Sequence, residues 1–405
     1  MKVLVYTTLF PNHLQPNNAI FIKQRMFHFA KIKDCEIKVI APIPYFPPIP
    51  VSQKWYQYSQ VKKIEIMDRV EVLHPRYLLI PKISMAFHGF SLFLSSLRLA
   101  REVYRTFPFD LIDGHYIYPD GFAATLLAKM MKKPVVLSAR GSDINESVNF
   151  KLIKPMIRYA LGHADHVISV CDALKQEMIK MGIKDSKITT IPNGVDGRQF
   201  YPVETEIARE KLSISVNRQV ILSVGSLIPR KGFHIVLEAL SILIRRDPNI
   251  NLYIIGEGPE RPSLERQIRE LGLSKFVSLV GELPNSQLKV WYSAADIFCL
   301  ASSREGWANV IMESMACGTP VVATRVWGAP EILTSPDLGI LVDRNPESVY
   351  TGLLKALETS WDRGKIRARV ENRDWFKVAE EVKTLFLKIL GNHLENNHSG
   401  QLGCH

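Results

Sequence analysis

The chain has little that would tie it to a disulfide frame, a zinc site or a bilayer. Its 405 residues include five cysteines, Cys35, Cys171, Cys299, Cys317 and Cys404, an odd and scattered set without a Cys-x-x-Cys pair. Such a set argues against a disulfide framework or a structural zinc site and fits a reducing compartment. Long apolar runs are also missing. The apolar stretch between Lys82 and Arg98 is uncharged over 15 residues and carries His88, Gly89 and four serines. It is too short and too polar to cross a membrane. The apolar opening, Met1 to Phe10, stops at Pro11 with no small-residue cleavage site behind it, so it reads as a buried first strand and not as a signal peptide. There is no Asp-x-Asp metal motif and no repeat of solenoid period. Helix-turn-helix, zinc-finger and RNA-binding signatures are absent as well, so no nucleic-acid partner is expected.

Acidic residues are scarce in one half only. The formal net charge is +11, from 51 basic and 40 acidic residues. Residues 1–200 hold 27 basic and 16 acidic residues, a surplus of 11, whereas 201–405 hold 24 of each. The basic half suggests an anionic partner such as membrane phospholipid or a phosphorylated lipid carrier, although a generally basic proteome would give the same surplus. Hydrophobic residues at 46% and charged residues at 22% are ordinary for a globular protein, and the length suits two or three domains.

Short apolar runs alternate with helical stretches in both halves. Strands are predicted at 2–7, 36–41, 69–73, 110–114, 134–138, 166–170 and 188–192, then at 219–225, 251–256, 276–280, 297–300, 320–323 and 339–342. Helices are predicted at 19–31, 83–106, 121–131 and 172–181, then at 231–246, 260–271, 285–294, 309–316, 346–358 and 375–390. The alternation implies an α/β fold of parallel, doubly wound sheets in two Rossmann-like domains. The expected domains are 1–196 and 203–374, joined by a Gly-, Pro- and Asn-rich hinge near 194–202, with a polar tail at 391–405 expected to be disordered.

The densest motif runs from Ser303 to Pro320. Glu305 stands in a polar turn with Gly306, Asn309 and Val310 open a short apolar helix, and Glu313 lies one turn inside it. The unpaired N–H groups at such a helix start suit an anion, and the two carboxylates can accept from hydroxyls on either side. That combination matches a sugar nucleotide. Upstream, strand Val220–Val224 ends at Gly225 and Ser226 and leads to Lys231 at a helix entry, a phosphate-binding layout in which the lysine can neutralise a departing diphosphate. A solvated lysine at a helix start is the competing interpretation. Glycine turns also follow the next two strands, around Glu257 and at Gly281.

At these residues the chain resembles the retaining glycosyltransferases of the glycogen-synthase-like family 4 group, also called glycosyl transferases group 1, with GT-B architecture. Their signature is Glu-x7-Glu followed by a Met-Ala-x-Gly-x-Pro-Val-Val stretch, here Glu305 to Glu313 and then Met315 to Val322. The resemblance implies two Rossmann-like domains facing across a cleft and a C-terminal helix, 375–390, crossing back to the first. It implies that Glu305 holds the donor sugar, Glu313 the ribose and Lys231 the diphosphate, with Gly225, Ser226, Glu257, Gly281, Gly306, Asn309 and Val310 lining the donor site. Ser226 replaces an arginine of the family pattern, and Arg230 or Arg304 could compensate. In the first half, His115 matches a histidine placed at the reacting centre, and the turn Arg140-Gly141-Ser142-Asp143 matches one that touches acceptor or phosphate. Asn18 and Ala19 stand where relatives carry a glycine pair near the diphosphate. His115 as a structural hydrogen-bonder, and Arg140 with Asp143 as a satisfied turn pair, stay open alternatives.

The activity implied is transfer of a hexose-type sugar from a UDP- or GDP-linked donor, with retention and without a metal or other cofactor, to a cell-envelope, polysaccharide or lipid-linked acceptor. A nucleotide-sugar 2-epimerase or a non-catalytic sugar-nucleotide-binding subunit of the same fold are the alternatives. The expected location is cytoplasmic, with peripheral contact to an anionic inner membrane face. The aromatic stretch from Tyr77 to Phe107, with basic flanks at Lys82, Arg98, Arg101 and Arg105, together with Tyr45 to Pro48, could supply that contact or could be core.

Overall fold

The computed structural model describes residues 1–49, 53–79, 85–145 and 150–402. It divides into two units, Met1–Asn193 with Trp375–His405, and Gly194–Asp374.

The first unit contains β1 (Lys2–Tyr6), β2 (Glu36–Ile40), β3 (Ile43–Pro44), β4 (Ile64–Met67), β5 (Val70–Leu73), β6 (Arg76–Tyr77), β7 (Leu111–His115), β8 (Val135–Ala139), β9 (His166–Ser169) and β10 (Ile188–Thr190). Eight of them form one sheet in the order β10-β9-β8-β7-β1-β2-β5-β4, and β3 pairs with β6 apart from it. Every pairing in the large sheet is parallel except β4 with β5. The central strands β7 and β8 are buried along their whole length, as expected of parallel strands covered on both faces by helices.

β4 was not foreseen, and its burial pattern is inverted. Ile64 and Ile66 are exposed and Glu65 is buried. The carboxylate turns inward between two histidines: His13 Nδ1 contacts Oε1, and His74 Nε2 stands 3.6 Å from Oε2. The helix Gln53–Gln60 and the helix Lys154–His163 were also unforeseen. The helix predicted at 83–106 is a short 3-10 turn, Met85–Phe87, followed by the helix His88–Thr106. Lys82 and residues 83–84 lie outside the described residues.

The helix Trp375–Leu402 belongs to this unit. It buries Trp375, Val378, Ala379, Val382, Phe386 and Ile389, spaced for one helical face. That face joins a core shared with Ile22, Met26 and Phe29 of the helix Ile20–Phe29, and the Phe29 and Phe386 rings lie 5.6 Å apart. The helix passes residue 390 and continues to Leu402, through most of the tail expected to be disordered. Residues 403–405 lie outside the described residues.

The second unit is one parallel sheet of β11 (Gln219–Val224), β12 (Ile250–Ile255), β13 (Val277–Gly281), β14 (Ile297–Leu300), β15 (Val321–Thr324) and β16 (Gly339–Val342). The order is β13-β12-β11-β14-β15-β16. Strand order reverses between β11 and β14, so the connections from these two strands diverge to opposite faces and leave a crevice at their carboxyl ends. The Gly-, Pro- and Asn-rich stretch 194–202, read as a hinge, is built into this unit. Val195 and Phe200 are buried in its core, and the Val195 N–H donates to the Arg373 carbonyl at 3.0 Å. Gly194 is needed there, because a Cβ would come within 2.7 Å of the Asp374 backbone. The helices Thr205–Lys211 and Arg363–Glu371 complete the unit and were also unforeseen.

Candidate functional site

Lys231 and Glu305 are 74 residues apart in the chain and meet at the crevice of the second sheet. Lys231 lies in the loop leaving β11 and Glu305 in the loop leaving β14. The lysine Nζ donates to Glu305 Oε1 at 2.6 Å, as does Ser302 Oγ at 2.6 Å. Arg230 Nη1 stands 3.3 Å from Glu305 Oε2 and donates to the Arg304 carbonyl at 2.8 Å. The Ser303 N–H donates back to the Arg230 carbonyl at 2.8 Å, so the two loops are stitched together. Gly232 has φ +72°, and a Cβ there would strike the Ala301 carbonyl oxygen, so glycine is required for this approach. Burial by itself would raise the Glu305 carboxyl, but the charges of Lys231 and Arg230 outweigh it and hold the group below the ordinary carboxylate range. Glu305 is thus an ionised, buried carboxylate that fixes two cations.

Behind Glu305 the chain passes Gly306 and Trp307 into the helix Asn309–Ala316, whose N-terminal residue before the helix, Ala308, supplies no side-chain cap. The Trp307 indole N–H is buried without a hydrogen-bond partner. Val310 is half-buried, and both it and Trp307 pack against the core of the unit. Glu313 accepts from the Tyr292 hydroxyl at 3.0 Å. Burial pushes the Glu313 carboxyl up to about 7, with hydrogen bonds from Tyr292 and Asn285 opposing the rise. The two glutamates of the motif therefore sit in opposite electrostatic surroundings, one beside cations and one beside neutral hydrogen-bond donors. Gly225 follows β11 with φ +153°, and Ser226 after it is exposed. Glu257 pairs with Arg261 at 2.6 Å, and the Gly281 carbonyl accepts from the Gly256 N–H at 2.8 Å.

In the first unit, β7 and β8 bring His115, Asp113, Ser138 and Arg140 to one buried cluster. Arg140 Nη2 lies 2.8 Å from His115 Nδ1, and an arginine can only donate, so Nδ1 is the accepting nitrogen. The proton is then on Nε2, 3.1 Å from Asp113 Oδ2. The ring is fully buried. Burial and the neighbouring Arg25 and Arg140 push its pKa well down against the pull of Asp113, so it stays neutral. For Asp113, burial would raise the carboxyl, but His115 and Arg25 outweigh it and hold the group far below the usual range. Arg140 Nη1 donates to Asn193 Oδ1 at 2.8 Å, and its guanidinium lies over the Phe21 ring at 5.3 Å. Burial first, and Arg25 second, lower its pKa to about 9. Asp143 accepts from the backbone N–H groups of Arg140, Gly141 and Ile117 at 2.8–3.2 Å. Both of its oxygens thus organise the turn, as in the alternative kept open above. Asn18 Nδ2 donates to the Phe10 carbonyl at 3.3 Å, and Ala19 begins the next helix in the left-handed region, φ +46°.

Arg25 was missed by the sequence reading. It is buried, and its Nη2 donates to Asp113 at 2.9 Å and to Ser138 Oγ at 3.0 Å. The signal was present: Ile22, Arg25, Met26 and Phe29 occupy one helical face, so a charge stands in an apolar stripe. Tyr292 was missed because it lies on another segment, and Ser302 and Trp307 were passed over beside and inside the motif itself. Among the described residues no group of three His, Cys, Asp or Glu side chains is suited to a metal ion.

Residues 204–373 match the family Glycosyl transferases group 1, and residues 57–198 match Glycosyltransferase Family 4. A putative teichuronic acid biosynthesis glycosyltransferase, TuaC of Bacillus subtilis, is 27% identical over 340 residues, covering 82% of this chain and 83% of its own. A D-inositol 3-phosphate glycosyltransferase of Corynebacterium glutamicum is 28% identical, covering 70% and 73%. Among solved structures, sucrose-phosphate synthase from Thermosynechococcus elongatus superposes with a TM-score of 0.78 at 17% identity, covering 96% of this chain and 99% of its own. Anabaena HepE in complex with UDP gives 0.72 at 19%, covering 96% and 100%. These two likenesses establish the GT-B fold.

Proposed function

Because the chain belongs to the group 1 glycosyltransferases, we propose that it transfers a hexose-type sugar, with retention, from a nucleoside-diphosphate sugar held by the second unit to an anionic or lipid-linked acceptor. The observation that carries the donor reading is the Lys231–Glu305–Arg230 group at the crevice between β11 and β14. Glu305 holds Lys231 and Arg230 in place before any ligand arrives, so their charge is preorganised for a diphosphate leaving group. Arg230 supplies the second cation that Ser226 does not. The helix start at Asn309 adds backbone N–H groups on the same side, and the Trp307 indole is a further donor for a sugar or phosphate oxygen. Glu313 takes the ribose hydroxyls. HepE, whose crystals hold UDP and UDP-glucose, supports a uridine donor.

His115 is a positioning residue in this reading. Its two nitrogens are engaged by Arg140 and Asp113, so it acts by setting the direction of the Arg140 guanidinium. Two relatives are named for teichuronic acid and for inositol phosphate, and both names support an acceptor that carries an acid group. Such an acceptor agrees with the basic first half. A cytoplasmic location with peripheral contact at an anionic membrane face belongs to the same reading. No helix among the described residues is long and apolar enough to cross a membrane.

The test is thermal stability against a panel of nucleoside diphosphates and their sugars, followed by product anomer determination by NMR. The expected result is a selective rise that Lys231→Ala abolishes, and a product with the donor's anomeric configuration. No rise with any nucleotide would overturn the donor site; an inverted product would overturn retention.

A further inference from the structure

The helix His88–Thr106 has two long stripes of opposite character. One, Gly89, Leu92, Ser96, Ala100 and Val103, is buried. The other runs through Phe87, Phe90, Leu94, Arg98, Arg101 and Arg105 at helical spacing and faces outward. The solvent face of a surface helix is ordinarily polar along its whole length. Here its first half is apolar, with Phe87 67%, Phe90 46% and Leu94 68% exposed. Leu78 adds to that end, because Ser91 Oγ donates to the Leu78 carbonyl at 2.7 Å and holds an exposed leucine beside the helix. The second half is cationic. Arg98 keeps a 92% exposed side chain even though it pairs with Glu102, and Arg101 and Arg105 are exposed.

We propose that this outward stripe is a docking surface for an anionic lipid bilayer, with Phe87, Phe90, Leu94 and Leu78 entering the headgroup boundary and Arg98, Arg101 and Arg105 meeting lipid phosphates. Two arguments select a bilayer over a second copy of the chain. The +11 surplus of the protein lies wholly in residues 1–200, the half that contains this helix, and anionic lipid complements it. A two-fold pairing of the stripe with itself fails on charge. Packed parallel, arginine faces arginine; packed antiparallel, the apolar end of each helix is covered by the arginines of the other. A bilayer boundary offers apolar and anionic layers within a few ångströms of each other. At a rise of about 1.5 Å per residue, each half of the stripe is roughly 10 Å long. The inference deepens the acceptor reading above by naming where the enzyme would meet a lipid-linked substrate, but its test requires neither donor nor turnover.

The experiment is co-sedimentation of the full chain with vesicles of phosphatidylglycerol and phosphatidylcholine, against phosphatidylcholine alone, at low and physiological salt and without nucleotide. Wild type is expected to bind the anionic vesicles selectively. Removing all three charges (Arg98→Ala, Arg101→Ala, Arg105→Ala) should weaken binding on the order of 100-fold, at about 1 kcal/mol per basic residue. Leu94→Glu and Phe87→Ser, both at exposed positions, should each weaken it about tenfold or more with unchanged thermal stability. Donor-induced stabilisation should be the same in all of these variants, so a failure here leaves the donor reading untouched, and the reverse holds. Absence of binding to anionic vesicles, binding that survives the triple substitution, or binding indifferent to Leu94→Glu and Phe87→Ser would each overturn the proposal. So would a wild-type dimer in sedimentation that Leu94→Glu separates without altering vesicle binding.

Discussion

Replacing Glu313 by glutamine keeps the size of the side chain and an oxygen for the Tyr292 hydroxyl, and removes the ability to ionise. Burial raises this carboxyl from 4.5 to about 7. The folded protein therefore holds a proton that the unfolded chain releases between those two values, and stability falls as pH rises from about 4.5 through about 7. Below 4.5 both states are protonated and the group contributes nothing. Above 7 both are ionised, and the wild type carries the whole penalty of a desolvated carboxylate, about 3 kcal/mol. Glu313→Gln should then match wild type near pH 4.5 and exceed it by up to about 3 kcal/mol at pH 8. For a unit of the size of Gly194–Asp374, that is a Tm gain of roughly 6–12 °C at pH 8. The assay is differential scanning calorimetry of both proteins from pH 4.5 to 8.5, following the transition of the second unit. A Tm difference that does not change with pH would refute the reasoning, as would a variant less stable at pH 8. The same substitution tests the ribose assignment. Hydroxyl donors favour the ionised carboxylate, so nucleoside-diphosphate affinity of the wild type should rise with pH through 7, and that of Glu313→Gln should stay flat.

Lys231→Ala leaves buried Glu305 with Ser302 and the more distant Arg230, and should cost about 2–4 kcal/mol of stability as well as donor binding. Combined with Glu305→Gln the loss should be smaller than the sum, with a coupling of at least about 1 kcal/mol in a double-mutant cycle by denaturation; additive losses would show that the pair is not formed. Ala19→Gly should stabilise the first unit by roughly 1 kcal/mol, because φ +46° is unfavourable for a residue with a Cβ and open to glycine. A lower Tm for that variant would mean the helix does not begin there in the left-handed conformation.

What could be read in advance was what is carried within one segment. Glu305, Gly306, Asn309 and Glu313 form a loop-then-helix pattern that carries the resemblance to the family, and the apolar runs of β11, β12, β14 and β15 announce buried parallel strands. Inverted or mixed patterns hid the rest. Glu65 turned inward because His13 and His74 approach it from other segments, so β4 buries the face that its alternation would have left to solvent. Residues 194–202 have hinge composition, and the boundary between the two units falls at their start, with Val195 and Phe200 in the core of the second. The tail after residue 390 is polar enough to read as disordered, and it extends a helix already anchored by the apolar face of Trp375–Ile389.

The sequence by itself determined the fold class and carried the family motif, since periodicity and spacing are properties of a single strand of text. Only the tertiary structure decided what those groups do to one another. Strand order β11-β14 put Lys231 against Glu305 across 74 residues and made one glutamate an anchored anion, while a neutral, buried setting made Glu313 a group that titrates near 7. The crossing of β7, β8 and the helix Ile20–Phe29 enclosed His115 between two arginines and an aspartate, fixing its tautomer and removing its ring from solvent. Charges interact over a few ångströms, and parallel sheets reach those distances only through crossovers tens of residues long, so the partners of each functional group are settled by the packed chain and not by its local pattern.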